Sequence, residues 1–148
     1  LGSIAMCLGS SDTAKLTLLD ITDQYLLDYK DYWARAGLNA KSNLMIGRAE
    51  DSLKQLIANG ESKTYDFAYI DANKSDYPIY YELVLQLSKS GGIILIDNVL
   101  WKGEVVNCLS QNKPTKSIQI LNEIVKKDTE VESIIIPIQD GLYFLRKR

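Results

Sequence analysis

The chain has 148 residues, of which 46% are apolar and 24% charged, a composition that supports the core of one domain and not two. Seventeen basic and 19 acidic side chains give a net charge of −2, which indicates neither a nucleic-acid surface nor an anionic-membrane surface. The sequence contains no histidine, which excludes serine–histidine hydrolysis, histidine zinc sites and imidazole acid–base chemistry within these residues. Catalysis here would use carboxylates, Lys, Tyr, Cys, backbone groups or a hard cation.

Two cysteines, Cys7 and Cys108, lie far apart in sequence and form no CxxC pair. This usage favours reduced thiols in a cytoplasmic protein over a single disulfide. No apolar run approaches the roughly 20 residues that cross a bilayer, so we expect no membrane partner. Because the sequence begins at Leu1 and not at Met, a preceding targeting segment stays open.

Apolar runs and amphipathic stretches alternate in the first half of the chain and predict strands and helices in turn. In chain order they are a strand over Leu16–Leu19 closed by Asp20, a helix from about Asp23 to Ala36 stopped by Gly37, a strand over Asn43–Ile46, a helix from about Ala49 to Asn59, and a strand over Phe67–Ile70 closed by Asp71.

The alternation continues to the C-terminus. The next elements are a helix over Ile79–Leu87 ended by Ser90-Gly91-Gly92, a strand over Ile93–Ile96 closed by Asp97-Asn98, a long irregular stretch over Val99–Pro114, a helix from about Thr115 to Lys127, and an antiparallel strand pair over Ser133–Ile136 and Leu142–Leu145 at the sheet edge.

This pattern implies an α/β fold with an open, mostly parallel sheet and helices on both faces. We find no internal repeat or linker, and we interpret residues 1–148 as one domain. Ligands bind beyond the carboxyl ends of the strands in such a sheet, which makes the irregular stretch a candidate active-site loop.

Three predicted strands end in an acidic residue: Asp20, Asp71 and Asp97. One such residue is more often a helix cap or a turn residue, but parallel strands bring all three ends to the same edge. Asp20 suits a ribose-binding carboxylate after the second strand of a nucleotide-binding sheet. Asp71, Asp97 and Asn98 offer hard oxygen donors for Mg²⁺, Mn²⁺ or Ca²⁺.

Lys74 stands three residues beyond Asp71, close enough to reach a ligand of that cation, although a lone lysine is more often a solvated surface residue.

A second set of candidates is aromatic. Tyr77, Tyr80 and Tyr81 have the spacing of helix packing more than of a substrate pocket, whereas Trp101, in the irregular stretch, is the better substrate contact. Cys108 has no activating neighbour, and we interpret it as inert.

Three segments resemble the cation-dependent O-methyltransferases, the family of catechol and caffeoyl-CoA O-methyltransferases and their bacterial relatives. They are Tyr69-Ile-Asp-Ala-Asn-Lys-Ser-Asp-Tyr77, Gly91-Gly-Ile-Ile-Leu-Ile-Asp-Asn-Val-Leu-Trp-Lys-Gly103 and Pro137-Ile-Gln-Asp-Gly-Leu142. The resemblance runs from about residue 1 to the C-terminus and implies a Rossmann-like sheet with S-adenosylmethionine as methyl donor.

The resemblance also implies a role for each candidate residue. The expected roles are a divalent cation, most simply Mg²⁺, held by Asp71, Asp97 and Asn98; a ribose contact by Asp20; cofactor contacts by Arg48, Ala49 and Asp71; a general base at Lys74; and a substrate-side loop around Trp101 and Lys102.

Members of this family have a further strand and a Gly-rich turn before the helix that matches Leu1–Gly9. We therefore expect an N-terminally truncated chain that lacks the first central strand, which in the family lies between the strands ending here at Asp20 and Asp71. The family commonly forms homodimers, and we expect one here.

The leading hypothesis is methylation of a hydroxyl on a small catechol-like or phenolic molecule. One alternative is methylation of a hydroxylated nucleoside in tRNA, as bacterial relatives do, although the net charge of −2 argues against tight RNA binding. The other alternative is an inactive remnant that acts only as a binding or oligomerisation module.

Overall fold

A computed structural model describes residues 2–24 and 30–148 of the chain. The chain divides into two compact units, Leu1–Ser52 and Leu53–Arg148. The interpretation of residues 1–148 as one domain stays a prediction. None of the helices in the described part of the chain is long and apolar enough to cross a membrane.

The first unit contains a two-stranded parallel sheet and short helices. Its elements are α1 (Gly2–Gly9), β1 (Leu16–Asp20), α2 (Lys30–Arg35), α3 (Leu38–Lys41) and β2 (Ser42–Ile46). The strands pair in parallel from Leu16 opposite Ser42 to Asp20 opposite Ile46. The structure confirms both predicted strands. It also confirms the C-terminal part of the helix predicted from about Asp23 to Ala36, whereas residues 25–29 of that prediction lie outside the described residues.

Helix α4 (Ala49–Ala58) begins in the first unit and ends in the second. The second unit continues with β3 (Tyr65–Ile70), a 3₁₀ turn (Lys74–Asp76), α5 (Tyr77–Leu87), β4 (Ser88–Asp97), a second 3₁₀ segment (Trp101–Val106), α6 (Lys113–Lys127), β5 (Val131–Ile136) and β6 (Leu142–Lys147).

The four strands of the second unit form one sheet in the order β3-β4-β6-β5. Strands β3 and β4 are parallel, whereas β6 pairs antiparallel with both β4 and β5. The predicted C-terminal antiparallel pair is confirmed, with β5 at the edge and β6 inside the sheet. The described strands thus form two sheets, and β1, which ends at Asp20, does not pair with β3, which precedes Asp71.

The helix predicted over Ile79–Leu87 ends at Leu87 as predicted, but it begins at Tyr77, and the predicted stop at Ser90-Gly91-Gly92 is wrong. These three residues lie inside β4, where the pairing with β3 shifts register between Tyr65 and Phe67. A Cβ on Gly92 would lie 2.8 Å from the carbonyl oxygen of Lys89, so only glycine fits this irregularity. The glycines permit a bulge in a strand instead of ending a helix.

Helices α5 and α6 pack against each other and against the sheet of the second unit. Alternate residues of the inner strands, including Ile94, Ile96 and Leu145, are fully buried, whereas Phe67 and Phe144 on the opposite face are partly exposed. The tyrosines of α5 are also buried, which confirms that they serve helix packing: Tyr77, Tyr80 and Tyr81. Both cysteines are free, Cys7 buried and Cys108 exposed.

A buried lysine joins the last strand to the end of α5. Lys147 is 8% exposed, and its Nζ donates to the carbonyl oxygens of Leu85 at 2.7 Å and Ser88 at 3.1 Å. A cation at the carboxyl end of a helix satisfies carbonyl groups that have no partner in the helix itself.

We expect Lys147→Met to lower the free energy of unfolding by about 2–3 kcal/mol, because two carbonyl oxygens lose a charged donor. Lys126→Met, at an exposed position of α6, is the matched control and should change it by less than about 0.5 kcal/mol. Urea denaturation of both variants measures the difference. Equal stability of the two variants would contradict this role of Lys147.

Candidate active site

The parallel pair β3 and β4 brings two of the predicted acidic residues together. Ile70 lies opposite Ile96 in the register, so Asp71 and Asp97 follow at the carboxyl ends of neighbouring strands, which run about 5 Å apart. Oδ1 of Asp97 accepts the backbone N–H of Asn98 at 2.8 Å. The structure therefore places the three predicted cation ligands at one edge of this sheet.

Lys74 lies against Asp71 and not in open solvent. The side chain of Asn73 accepts the backbone N–H of Ser75 and caps the 3₁₀ turn that begins at Lys74. Nζ of Lys74 donates to Oδ1 of Asp71 at 2.7 Å and lies 4.9 Å from the ring centroid of Tyr77. Only 12% of the Lys74 side chain is exposed, so it is not the solvated surface lysine that this position alone would suggest.

Tyr69 is a site residue that the sequence reasoning missed. Its hydroxyl donates to Oδ2 of Asp97 at 3.0 Å. Burial, the hydrogen bond to Asp97 and the negative charges of Asp97 and Asp71 raise the pKa of Tyr69 to about 12, so the phenol keeps its proton at neutral pH. A strand repeats every two residues, and this period could have placed Tyr69 on the same face as Asp71.

Two negative charges lie at this end of the sheet, and one of them, Asp71, is paired with Lys74. Burial raises the pKa of Tyr77, and the negative charges of Asp71 and Asp97 raise it further. Both carboxylates therefore raise the pKa of Tyr77 and of Tyr69. Each carboxylate oxygen keeps a lone pair beyond the hydrogen bonds described above. Two carboxylates and an amide oxygen therefore fit Mg²⁺, Mn²⁺ or Ca²⁺. The described part of the chain holds no group of three or more His, Cys, Asp or Glu side chains that could bind a metal.

The loop after β4 has an unusual backbone. Asn98, Trp101 and Lys102 all have positive φ, at 60°, 45° and 54°, a region that costs energy for residues other than glycine and that clusters at functional sites. Trp101 and Lys102, the predicted substrate-side residues, belong to this loop, a few residues after Asp97 and Asn98. Trp101 is half-buried and Lys102 is exposed.

The turn between β5 and β6 holds this loop in place. The backbone N–H groups of Val99 and Leu100 donate to the carbonyl oxygens of Gly141 and Asp140, and Oδ1 of Asp140 accepts the N–H of Lys102. Gly141 has φ of 79°, and a Cβ there would overlap the Leu100 side chain, so this close approach requires glycine. Sequence reasoning missed Asp140, because no local pattern reveals a contact 38 residues away.

The first unit holds the predicted nucleotide-binding residues. Asp20 lies opposite Ile46 at the end of the parallel pair, and its carbonyl oxygen accepts the N–H of Gly47 at 2.8 Å. This brings Asp20 beside the turn that leads to Arg48 and Ala49. The Asp20 carboxylate also accepts the N–H of Thr22 at 3.3 Å, the turn contact expected of a lone aspartate after a strand. The guanidinium of Arg48 lies 3.3 Å from the carboxylate of Glu50.

Comparison with known proteins identifies the family of this chain. A family model described as O-methyltransferase matches residues 2–148. The chain belongs to the O-methyltransferase family. It is 38% identical over 148 residues to "Probable caffeoyl-CoA O-methyltransferase 2" of Dictyostelium discoideum, covering 99% of this chain and 64% of that protein. It is 32% identical to the caffeoyl-CoA O-methyltransferase of Stellaria longipes, covering 97% of this chain and 62% of that protein.

A solved structure extends the likeness to the fold. The O-methyltransferase of Bacillus cereus, in complex with SAH, has a TM-score of 0.89 and 26% identity, covering 99% of this chain and 68% of that one. The predicted family and Rossmann-like fold are therefore confirmed. The chain spans less than two thirds of the two curated O-methyltransferases compared above, and the roles of the individual site residues stay predictions.

We expect Asp140→Ala to speed hydrogen exchange at the Lys102 amide by about tenfold to a hundredfold, because this N–H loses a charged acceptor. Asp140→Asn keeps a side-chain oxygen at the same place and should give a smaller change. Amide exchange followed by NMR measures both variants. Exchange at the wild-type rate in Asp140→Ala would show that this contact does not hold the loop.

Proposed function

We propose that this protein is an S-adenosylmethionine-dependent, divalent-cation-dependent O-methyltransferase that acts on a hydroxyl of a small catechol-like or phenolic substrate. The observation that supports it most strongly is the pairing of Asp71 and Asp97 at neighbouring strand ends, with Lys74 Nζ 2.7 Å from Asp71. Membership of the O-methyltransferase family supports the reaction class.

Three of the expected cofactor contacts lie in the first unit. The Asp20 carboxylate, exposed at the end of β1, can accept both hydroxyls of an adenosine ribose. Arg48 and Ala49, at the start of α4, would border the adenine. The Bacillus cereus relative, solved with SAH, supports a cofactor of this class.

Asp71, Asp97 and Asn98 would hold the divalent cation. When bound, such a cation supplies positive charge that makes two vicinal hydroxyls of a substrate easier to deprotonate. The three residues fix the position of those hydroxyls, and the Trp101–Lys102 segment lies beside them. Positioning and charge stabilisation account for most of the rate in a transfer of this kind.

Lys74 would take the proton from the attacking hydroxyl. As a neutral amine it would accept that proton on Nζ, which requires it to leave its ion pair with Asp71. When bound, S-adenosylmethionine would supply the methyl group: its carbon–sulfur bond would break as the hydroxyl oxygen bonds to the methyl carbon, leaving the methyl ether and S-adenosylhomocysteine. The proton would remain on Lys74. This sequence needs no imidazole.

We expect Asp71→Asn to weaken Mg²⁺ binding by at least about tenfold, because the site loses one of its two negative ligands. Asp66→Asn is the matched control: Asp66 lies on β3, the strand that precedes Asp71, is exposed and pairs with Lys89, and this variant should bind Mg²⁺ as wild type does. Titration calorimetry with Mg²⁺ and with S-adenosylmethionine measures both. Equal Mg²⁺ binding by Asp71→Asn and wild type would disprove the cation site, and absence of S-adenosylmethionine binding to wild type would favour an inactive remnant.

We expect Lys74→Met to lower kcat for methylation of a catechol by about 10²–10⁴-fold, because the proton acceptor is removed, while S-adenosylmethionine binding stays near wild type, because Asp20, Arg48 and Ala49 are unchanged. Lys89→Met, at a half-exposed lysine of β4, is the control and should keep wild-type kcat. Steady-state kinetics with a radiolabelled methyl donor measures both. A Lys74→Met variant with unchanged kcat would rule out Lys74 as the base.

A further inference from the structure

We propose that Tyr69 is a positioning residue that fixes the Asp97 carboxylate for cation binding. This inference rests on the proposed function, because it concerns the same cation site. It starts from the hydrogen bond in which the Tyr69 hydroxyl donates to Oδ2 of Asp97 at 3.0 Å.

The strand register explains why this bond forms. Tyr69 lies opposite Leu95 in the parallel pair, and Asp97 follows Leu95 by two residues. Tyr69 and Asp97 therefore occupy the same face of the sheet, in the diagonal relation that a long side chain can span. A phenol reaches across this diagonal, whereas a shorter hydroxyl side chain would not.

The bond leaves Asp97 with a donor on each oxygen. Oδ1 accepts the backbone N–H of Asn98 at 2.8 Å, and Oδ2 accepts the Tyr69 hydroxyl. Two donors at opposite oxygens fix the plane of the carboxylate and hold it near the end of β4. Hydrogen bonds of this kind orient metal ligands, and their removal typically weakens metal binding by about 10–100-fold.

The environment of Tyr69 argues against a role in packing alone. Tyr69 is 42% exposed, so its hydroxyl is not needed to satisfy a buried core. Phe67 lies two residues earlier on the same face and is 43% exposed, which shows that this strand accepts phenylalanine on this face. Tyr69→Phe therefore removes the donor while the strand and its neighbours stay in place.

Tyr65 provides a matched control. It lies at the other end of the same strand, and its hydroxyl donates to Glu61 at 2.7 Å. Tyr65→Phe thus removes an equivalent phenol–carboxylate bond far from the cation site. A general effect of removing a tyrosine hydroxyl from β3 would appear in both variants.

The test is Mn²⁺ binding to the full-length protein, measured by titration calorimetry and by the loss of the free-ion electron paramagnetic resonance signal. We expect Tyr69→Phe to raise the Mn²⁺ Kd by about tenfold, with Tyr65→Phe at the wild-type value and both unfolding midpoints near wild type. In steady-state kinetics, Tyr69→Phe should raise the Mn²⁺ concentration needed for half-maximal rate, while kcat at saturating Mn²⁺ recovers to within about twofold of wild type.

Each other outcome overturns the inference. An unchanged or lower Mn²⁺ Kd in Tyr69→Phe, with binding lost in Asp97→Asn, would show that the cation site is real but that the phenol does not prepare it. An equal rise of Kd in Tyr65→Phe would indicate a general change in β3. Absence of Mn²⁺ binding to wild type would contradict both the cation site and the role of Tyr69.

Discussion

The parallel pairing of β3 with β4 is the constraint on which the candidate site depends. With Ile70 opposite Ile96, the next residue of each segment, Asp71 or Asp97, lies beside the other. A shift of one residue in this register would turn the Asp97 side chain to the other face of the sheet, away from the Tyr69 hydroxyl. The register shift is confined to the bulge at Gly91-Gly92, at the other end of the pair, and the pairing is regular from Phe67 to Ile70.

The rest of the second unit keeps this edge in place. Helices α5 and α6 cover the face on which Ile94 and Ile96 are buried, and the ammonium of Lys147 joins the last strand to the end of α5. The turn at Asp140 holds the loop beyond Asp97 in a backbone conformation that is costly for non-glycine residues. The packing of the helices and the turn at Asp140 together hold a strained loop directly beside the carboxylates.

The sequence predicted most of the elements, because these depend on local patterns, and the roles of the candidate site residues stay predictions. Apolar runs and their periodicity gave the strands and helices, with errors mainly at the ends. The motif residues Asp71, Asp97 and Asn98 stand where strands end, so the order of elements alone predicted that they would meet. Sequence reasoning missed Tyr69 and Asp140, because each acts through a hydrogen bond to a residue distant in the chain.

The sequence by itself determined the chemical possibilities: without histidine, the proposed chemistry uses oxygen ligands, a lysine and a cofactor, and the motifs indicated the O-methyltransferase family that the comparisons confirm. Only the tertiary structure decided how these groups are presented. In the folded chain Lys74 is mostly buried and pairs with Asp71, and the Tyr69 hydroxyl donates a hydrogen bond to Asp97. Composition and motifs are local properties of the chain, whereas burial and hydrogen-bond partners arise only when distant strands and turns pack together.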